Sequence, residues 1–403
     1  MTEFQLTSNL ASKPDPMKSN LTTESTLLRV FVALFVQLQL ILAFSLFSGR
    51  ALIFVPKYRF QGDFTVLFAA TSDWLHKADP YLRGQVLTNN FVTPPPSLLV
   101  TLSLQLFSLR TASVLFLIVN VGIVAASLWS VCRWFEMTQR ETLLFFGVAS
   151  TYFPITALLE RGNLDGIMLG LMLISLFTRN RFGRVVVLSL SISIKIYSIM
   201  LLAPLVLARR WKQVSAVVLL VALLLLSFHS LFWSFVHSQA TRSAAMRTAW
   251  NLSPFGIFGP SRESRAAVLV YLALWIVSYS LMLFRNRGAN LTVKALYSFP
   301  WMLAMPLQVF PYTGVLLLPL LALKSREIAE RGFATVRDSP FLIGFCLVGL
   351  QQTAISECVL TIPHGVRLAD ALNPLGTVLV IGSLVFQSTR SKLAGRELAH
   401  ASA

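Results

Sequence analysis

Residues 266–284 read AAVLVYLALWIVSYSLMLF, nineteen consecutive positions without a charged side chain. At a rise of about 1.5 Å per residue, a helix of this length spans the hydrocarbon of a bilayer. The pattern recurs at 214–228 and 341–350, which are also nearly free of charge. Of the 403 residues 55% are hydrophobic and 13% are charged, about half the roughly 25% charged fraction of a soluble domain. A soluble core has no room for so much apolar surface, so the chain is predicted to be an all-α, polytopic membrane protein.

The net charge of +17 would suggest nucleic acid in a soluble protein. Here the basic residues cluster in short segments between apolar runs, the form the positive-inside rule takes in a sequence. The inside set is the N-terminus, Arg133–Arg140, Arg179–Arg184, Arg209–Lys212, Arg285–Arg287, Lys324–Arg337 and Arg390 onward. Outside lie two long loops, 51–96 and 237–264, and short turns near Arg161 and His364. The first apolar run, Val30–Phe47, lacks a small-x-small cleavage site and is read as an uncleaved helix. The expected organisation is a cytoplasmic tail over 1–27, a transmembrane domain over 28–388 and a cytoplasmic tail over 389–403. Two stretches, 97–109 and 184–208, are too short for their apparent crossings, which places the helix count at about ten to twelve. The second either forms a hairpin of two half-spans or has one basic end facing outward.

Loops of this length are uncommon unless functional or disordered. In 51–96, Phe64, Leu67, Phe68, Thr71, Trp74 and Leu75 recur at helical spacing, with Asp73, His76 and Lys77 opposite, which predicts a short helix in the outer interface. Lys57, Arg59, Lys77 and Arg83 in the first loop, and Arg242, Arg247 and Arg262 in the second, also suit anionic lipid headgroups.

Four groups of residues carry possible chemistry, and each has a plainer reading. Asp63 is either a helix N-cap or a general base at the membrane surface, within reach of a lipid-borne hydroxyl. The turn Glu160-Arg161-Gly162-Asn163-Leu164-Asp165 can be a connection in which Asn163 or Asp165 caps the next helix. Three ionisable groups are, however, more than a cap requires, and such residues mark sites in membrane proteins. Lys195 has no other charge between Val185 and Ala208. A lone charge mid-span costs about 3 kcal/mol, so it requires a partner, either an acidic side chain such as Asp165 or the phosphate of a lipid carrier. Trp250-Asn251-Leu252-Ser253-Pro254-Phe255-Gly256 is turn chemistry, a weak signal alone. No metalloprotease, P-loop, hydrolase-elbow or dinucleotide motif is present, and neither the five histidines nor the three cysteines show ligand spacing. No metal or cofactor is expected.

In order, these motifs resemble the family 87 glycosyltransferases of the GT-C superfamily, which include mycobacterial mannosyltransferases of phosphatidylinositol mannosides. The resemblance runs from about residue 60 to about 325. It rests on Asp63 before the interfacial helix, Ala78-Asp79-Pro80-Tyr81, Pro94-Pro95, Arg161-Gly162-Asn163-Leu164-Asp165, Lys195, Pro204, Arg209-Arg210-Trp211 and Asn251-Leu252-Ser253. Where those mannosyltransferases carry a late Ser-Pro…Trp…His element, this chain has Met305-Pro306-Leu307-Gln308-Val309-Phe310-Pro311-Tyr312, without the histidine.

The resemblance implies a GT-C-like bundle and an inverting transfer of a hexose such as mannose. The donor is a polyprenyl-phosphate sugar, the acceptor a lipid or glycan, and the place the outer face of a bacterial plasma membrane. Asp63 is then the catalytic base. Lys195 and Arg161, with Arg83 in reserve, meet the donor phosphate, and Asn163, Asp165, Tyr81, Asn251 and Ser253 complete the substrate site. The rival reading is a transporter or lipid-linked-sugar flippase, which also uses broken helices and buried charges. Carriers usually show internal repeats, and none is visible here.

Overall fold

The computed structural model describes residues 16–48, 61–82, 93–242, 265–305, 310–331, 336–349, 361–362 and 366–386. The described chain is helical: α1 Pro16–Ser48, α2 Gly62–Leu75, α3 Leu109–Trp134, α4 Gln139–Thr151, α5 Phe153–Arg161, α6 Asp165–Phe177, α7 Arg181–Ile194, α8 Leu202–Leu207, α9 Trp211–Leu226, α10 His229–Arg242, α11 Arg265–Arg285, α12 Leu291–Leu303, α13 Leu317–Arg331, α14 Ser339–Val348 and α15 Leu368–Phe386. The departure from an all-α reading is one antiparallel contact of two-residue strands, Thr361–Ile362 with Val366–Arg367.

Among the described residues one helix, α3, is long and apolar enough to cross a membrane. The number rises to three if the bent pairs α4–α5 (59°) and α9–α10 (92°) each count as one span. The expected ten to twelve crossings are thus not matched by as many long helices, because the apolar runs are cut into pieces. Pro154 stands in the first turn of α5 and Tyr152 is extended. Proline has no N–H for an upstream carbonyl, so α4 and α5 remain separate helices. In 184–208 the cut falls at Lys195, which is extended (φ −143°) and followed by a 3₁₀ turn over Ile196–Leu201. Residues 97–109 likewise begin as two short 3₁₀ pieces, Pro95–Thr101 and Ser103–Leu106, before α3 starts behind the Ser108 cap.

The short helix predicted from Phe64 is present as α2. Phe64, Leu67, Ala70 and Thr71 form its buried face, whereas Leu75, assigned to the same face, is exposed. At the centre of the molecule, α12 is buried from Thr292 to Leu303, the pattern of a helix surrounded by others. The basic stretch 324–337 does not behave as a simple loop either. Helix α13 continues through it to Arg331, and Lys324 is buried against Glu327 at 2.8 Å and the Tyr297 hydroxyl at 3.2 Å.

The contact that sets the site is between α3 and α6. A Cβ on Gly166 would lie 2.0 Å from Asn120 Oδ1, and one on Gly170 would lie 2.7 Å from the Ile123 side chain. Small residues four apart let two helix backbones approach closely. That approach allows Asn120 to donate from Nδ2 to the Asn163 carbonyl at 2.9 Å, which anchors the turn before α6. Gly166→Ala is expected to displace Asn120 and to cost about 1–3 kcal/mol, read as a lower unfolding temperature of the purified protein. Gly122→Ala, at a position on α3 with nothing within 4 Å, should leave that temperature unchanged or slightly raised.

Candidate active site

Four element ends meet at one point: the start of α2, the α5–α6 turn, the break after α7 and the 3₁₀ turn Pro311–Leu316. The α5–α6 turn is built by Gly162, which ends α5 in the left-handed region (φ 63°). Asn163 N then donates to the Leu158 carbonyl at 3.2 Å and Gly162 N to Leu159 at 3.3 Å, a glycine C-cap. Gln61 ties α2 to this turn, donating from its backbone N–H to the Glu160 carbonyl at 2.7 Å and from its side chain to Leu159 at 2.8 Å.

The charges are placed with the helix dipoles. Asp63 lies in the first turn of α2 and Asp165 is the first residue of α6; Arg161 ends α5 and Lys195 caps the C-terminus of α7. Carboxylates are favoured at helix starts and cations at helix ends. No proline or glycine lies between Gly183 and Pro204, so the partners of the ammonium, rather than local punctuation, account for the break of α7 at Lys195.

The side chains form one connected network. Arg161 donates to Asp63 Oδ1 at 2.6 Å and Asn163 Nδ2 donates to Asp63 Oδ2 at 2.7 Å. The other end of the Asn163 carboxamide, Oδ1, accepts from Lys195 Nζ at 2.9 Å and from the Asp165 N–H at 3.1 Å. Lys195 is also paired with Asp165 Oδ1. Asp165 accepts from the Tyr197 hydroxyl at Oδ1 and from the Thr313 hydroxyl at Oδ2, both at 2.6 Å. The Lys195 ammonium lies 5.6 Å from the Tyr312 ring centre and 5.8 Å from that of Tyr197, within the range of a cation–π contact.

Exposure separates the two carboxylates. The Asp63 side chain is 21% exposed and its Arg161 partner 23%, whereas Asp165 is fully buried. Asp63 reaches the surface, whereas Asp165 is enclosed by its hydrogen-bond donors. Lys195, 14% exposed, uses two of its three ammonium hydrogens, and among the described residues the third has no protein acceptor.

Asp63, Arg161, Asn163, Asp165 and Lys195 are thus brought together as one site. The capping alternative for Asp63 is corrected: the N-cap of α2 is Gln61, and both Asp63 oxygens are engaged by side chains from the α5–α6 turn. The Lys195–Asp165 pairing is present. Tyr81 is engaged elsewhere, its hydroxyl donating to the Thr93 carbonyl at 2.8 Å and its ring edge-on to Phe235. Arg83, Asn251 and Ser253 lie outside the described residues. Sequence reasoning missed Asn120, Tyr197, Tyr312 and Thr313. For Tyr312 a signal existed, because it closes the segment in which the late histidine is replaced. Among the described residues no group of three His, Cys, Asp or Glu side chains is arranged to hold a metal ion.

The sequence model of glycosyltransferase family 87 matches residues 91–306, just over half of the chain and inclusive of the α5–α6 turn and Lys195. The protein is a glycosyltransferase: the chain belongs to family 87. Asp63 and Tyr312 fall outside the matched span. Comparison with curated proteins and with solved structures finds no match.

The geometry makes Lys195→Met a stability change as well as a functional one. It leaves the buried Asp165 carboxylate with neutral side-chain donors only, a loss of about 3–5 kcal/mol for a broken buried pair. Adding Asp165→Asn should recover most of the unfolding temperature without restoring glycosyl transfer. Full recovery of transfer in the double variant would make the lysine a purely structural partner.

Proposed function

We propose that this chain is an integral-membrane glycosyltransferase that moves a hexose, such as mannose, from a polyprenyl-phosphate donor to a lipid or glycan acceptor, with inversion. The bundle crosses the plasma membrane of a bacterium some ten to twelve times, counting broken helices, and α2 lies in the outer interface beside the site. The observation that carries this reading is the partly open Asp63 joined through Asn163 to a lysine with one uncommitted N–H.

In the proposed step the acceptor hydroxyl oxygen attacks the anomeric carbon while its proton passes to Asp63. The anomeric carbon–oxygen bond to phosphate breaks, its electron pair stays on the phosphate oxygen, and polyprenyl phosphate leaves. One displacement inverts the centre. The third N–H of Lys195 points a donor at that phosphate, where charge develops. Arg161, held by Asp63 Oδ1 at 2.6 Å, competes with the incoming proton for that oxygen. A second anion drawing Arg161 away clears Oδ1 as the donor arrives, so the same cation first holds the carboxylate and then meets the leaving group.

Asp63→Asn keeps the shape and can still accept from one of its two donors, Arg161 or Asn163, but it takes no proton. Loss of positioned proton transfer costs a factor of about 100 to 10,000 in rate. The control is Asp73→Asn on the same helix. Transfer from a radiolabelled polyprenyl-phosphate mannose to a lipid extract, at equal expression, should be lost with the first and kept with the second. Equal activity of the two variants removes Asp63 from catalysis, and an intact transport activity in both favours the flippase.

A further inference from the structure

Away from the active site, α3 and α6 part to form a groove of about 630 Å³, within the size range of ligand pockets. The two helices touch most closely at Gly166 and Gly170 and are bridged again at their far ends by Trp134 stacked on Phe177, ring centres 4.5 Å apart and planes 15° from parallel. Between these points the small side chains of Ala126, Ser127 and Ser130 line the groove together with the apolar Ile123, Leu173 and Ile174. Large rings span the gap at one end while small side chains leave it unfilled in the middle.

Arg133 also lines this groove, in the last turn of α3. It is exposed, and its guanidinium has no acceptor among the described residues. Helix α6 ends beside it at Thr178, followed by the exposed Arg179. Arg133 is thirteen residues along α3 from Asn120, about 20 Å from the point where the helix meets the active-site turn. Trp129 and Trp134 are both substantially exposed at the same end, and tryptophan collects at the membrane–water boundary.

We infer that the α3–α6 groove is a site for an anionic phospholipid, its phosphodiester on Arg133 and one acyl chain along the slot beside Ala126, Ser130 and Ile174, at the membrane surface opposite the active site. An apolar slot with an unpaired cation at headgroup depth has the chemistry of basic lipid pockets between membrane helices. A second protein helix would also cover apolar surface, but it would leave the Arg133 charge at its end without a counter-ion. The inference rests on the helices crossing a bilayer and is independent of the sugar transferred.

The test is native mass spectrometry of the full chain in detergent, with phosphatidylglycerol or phosphatidylcholine added at equal concentration. The expected result is preferential retention of phosphatidylglycerol. Arg133→Gln should reduce that retention about five-fold, the size of one basic contact at a membrane surface. Ala126→Leu, which keeps the charge and fills the slot from an exposed wall position, should reduce it as well. Arg287→Gln, at an exposed arginine in the turn after α11, should leave it unchanged. Equal retention of the two lipids overturns the inference, as does an Arg287→Gln loss equal to that of Arg133→Gln, or an Ala126→Leu protein that retains lipid normally. A lipid-independent dimer broken by Ala126→Leu assigns the groove to a second copy of the chain instead.

Discussion

A fully buried carboxylate must be surrounded by donors, and Asp165 draws its donors from three separate elements. Lys195 comes from the end of α7, Tyr197 from the 3₁₀ turn after it, and Thr313 from the turn before α13. An ionised group so far from water is tolerated only when paired and hydrogen-bonded. Satisfying Asp165 therefore fixes how the first half of the chain meets the segment after 310. It also fixes Asn163, whose carboxamide accepts from Lys195 and the Asp165 N–H on one side and donates to Asp63 on the other. The partly exposed Asp63 is thereby oriented by a buried ion pair that need not touch substrate.

The division of labour follows from burial. Asp165 has no exposed surface, so its role is to position; Asp63 and Arg161 reach the surface, so they can meet a ligand. Helix ends supply the field for both, with carboxylates at the starts of α2 and α6 and cations at the ends of α5 and α7. This arrangement requires short helices that end at the site, and it explains why the apolar run over 185–208 is interrupted at Lys195.

Much of this was legible in the sequence because the signals were local. Helix α2 showed as a three/four spacing from Phe64, and the crowded polar turn at 160–165 stood out between two apolar runs. Lys195 was conspicuous because a lone charge in an apolar stretch needs a partner. What was not legible depends on tertiary approach. The break of α7 has no proline or glycine to announce it, and the depth of Lys324 cannot be read from a basic cluster. Tyr197 and Thr313 look like ordinary residues of apolar helices until Asp165 is placed beside them. Tyr312 was noticed for the histidine missing from its segment, yet the approach of its ring to the Lys195 ammonium emerges only when residues 117 positions apart in sequence are brought together.

The most direct test of this account is a structure of the full chain with a non-transferable polyprenyl-phosphonate sugar. The account predicts the phosphonate within hydrogen-bonding distance of Lys195 Nζ, Arg161 turned from Asp63 toward it, and the freed Asp63 oxygen facing the side of the anomeric carbon opposite the phosphonate. A phosphonate bound away from Lys195, with the Arg161–Asp63 pair undisturbed and the sugar out of reach of the carboxylate, would contradict it.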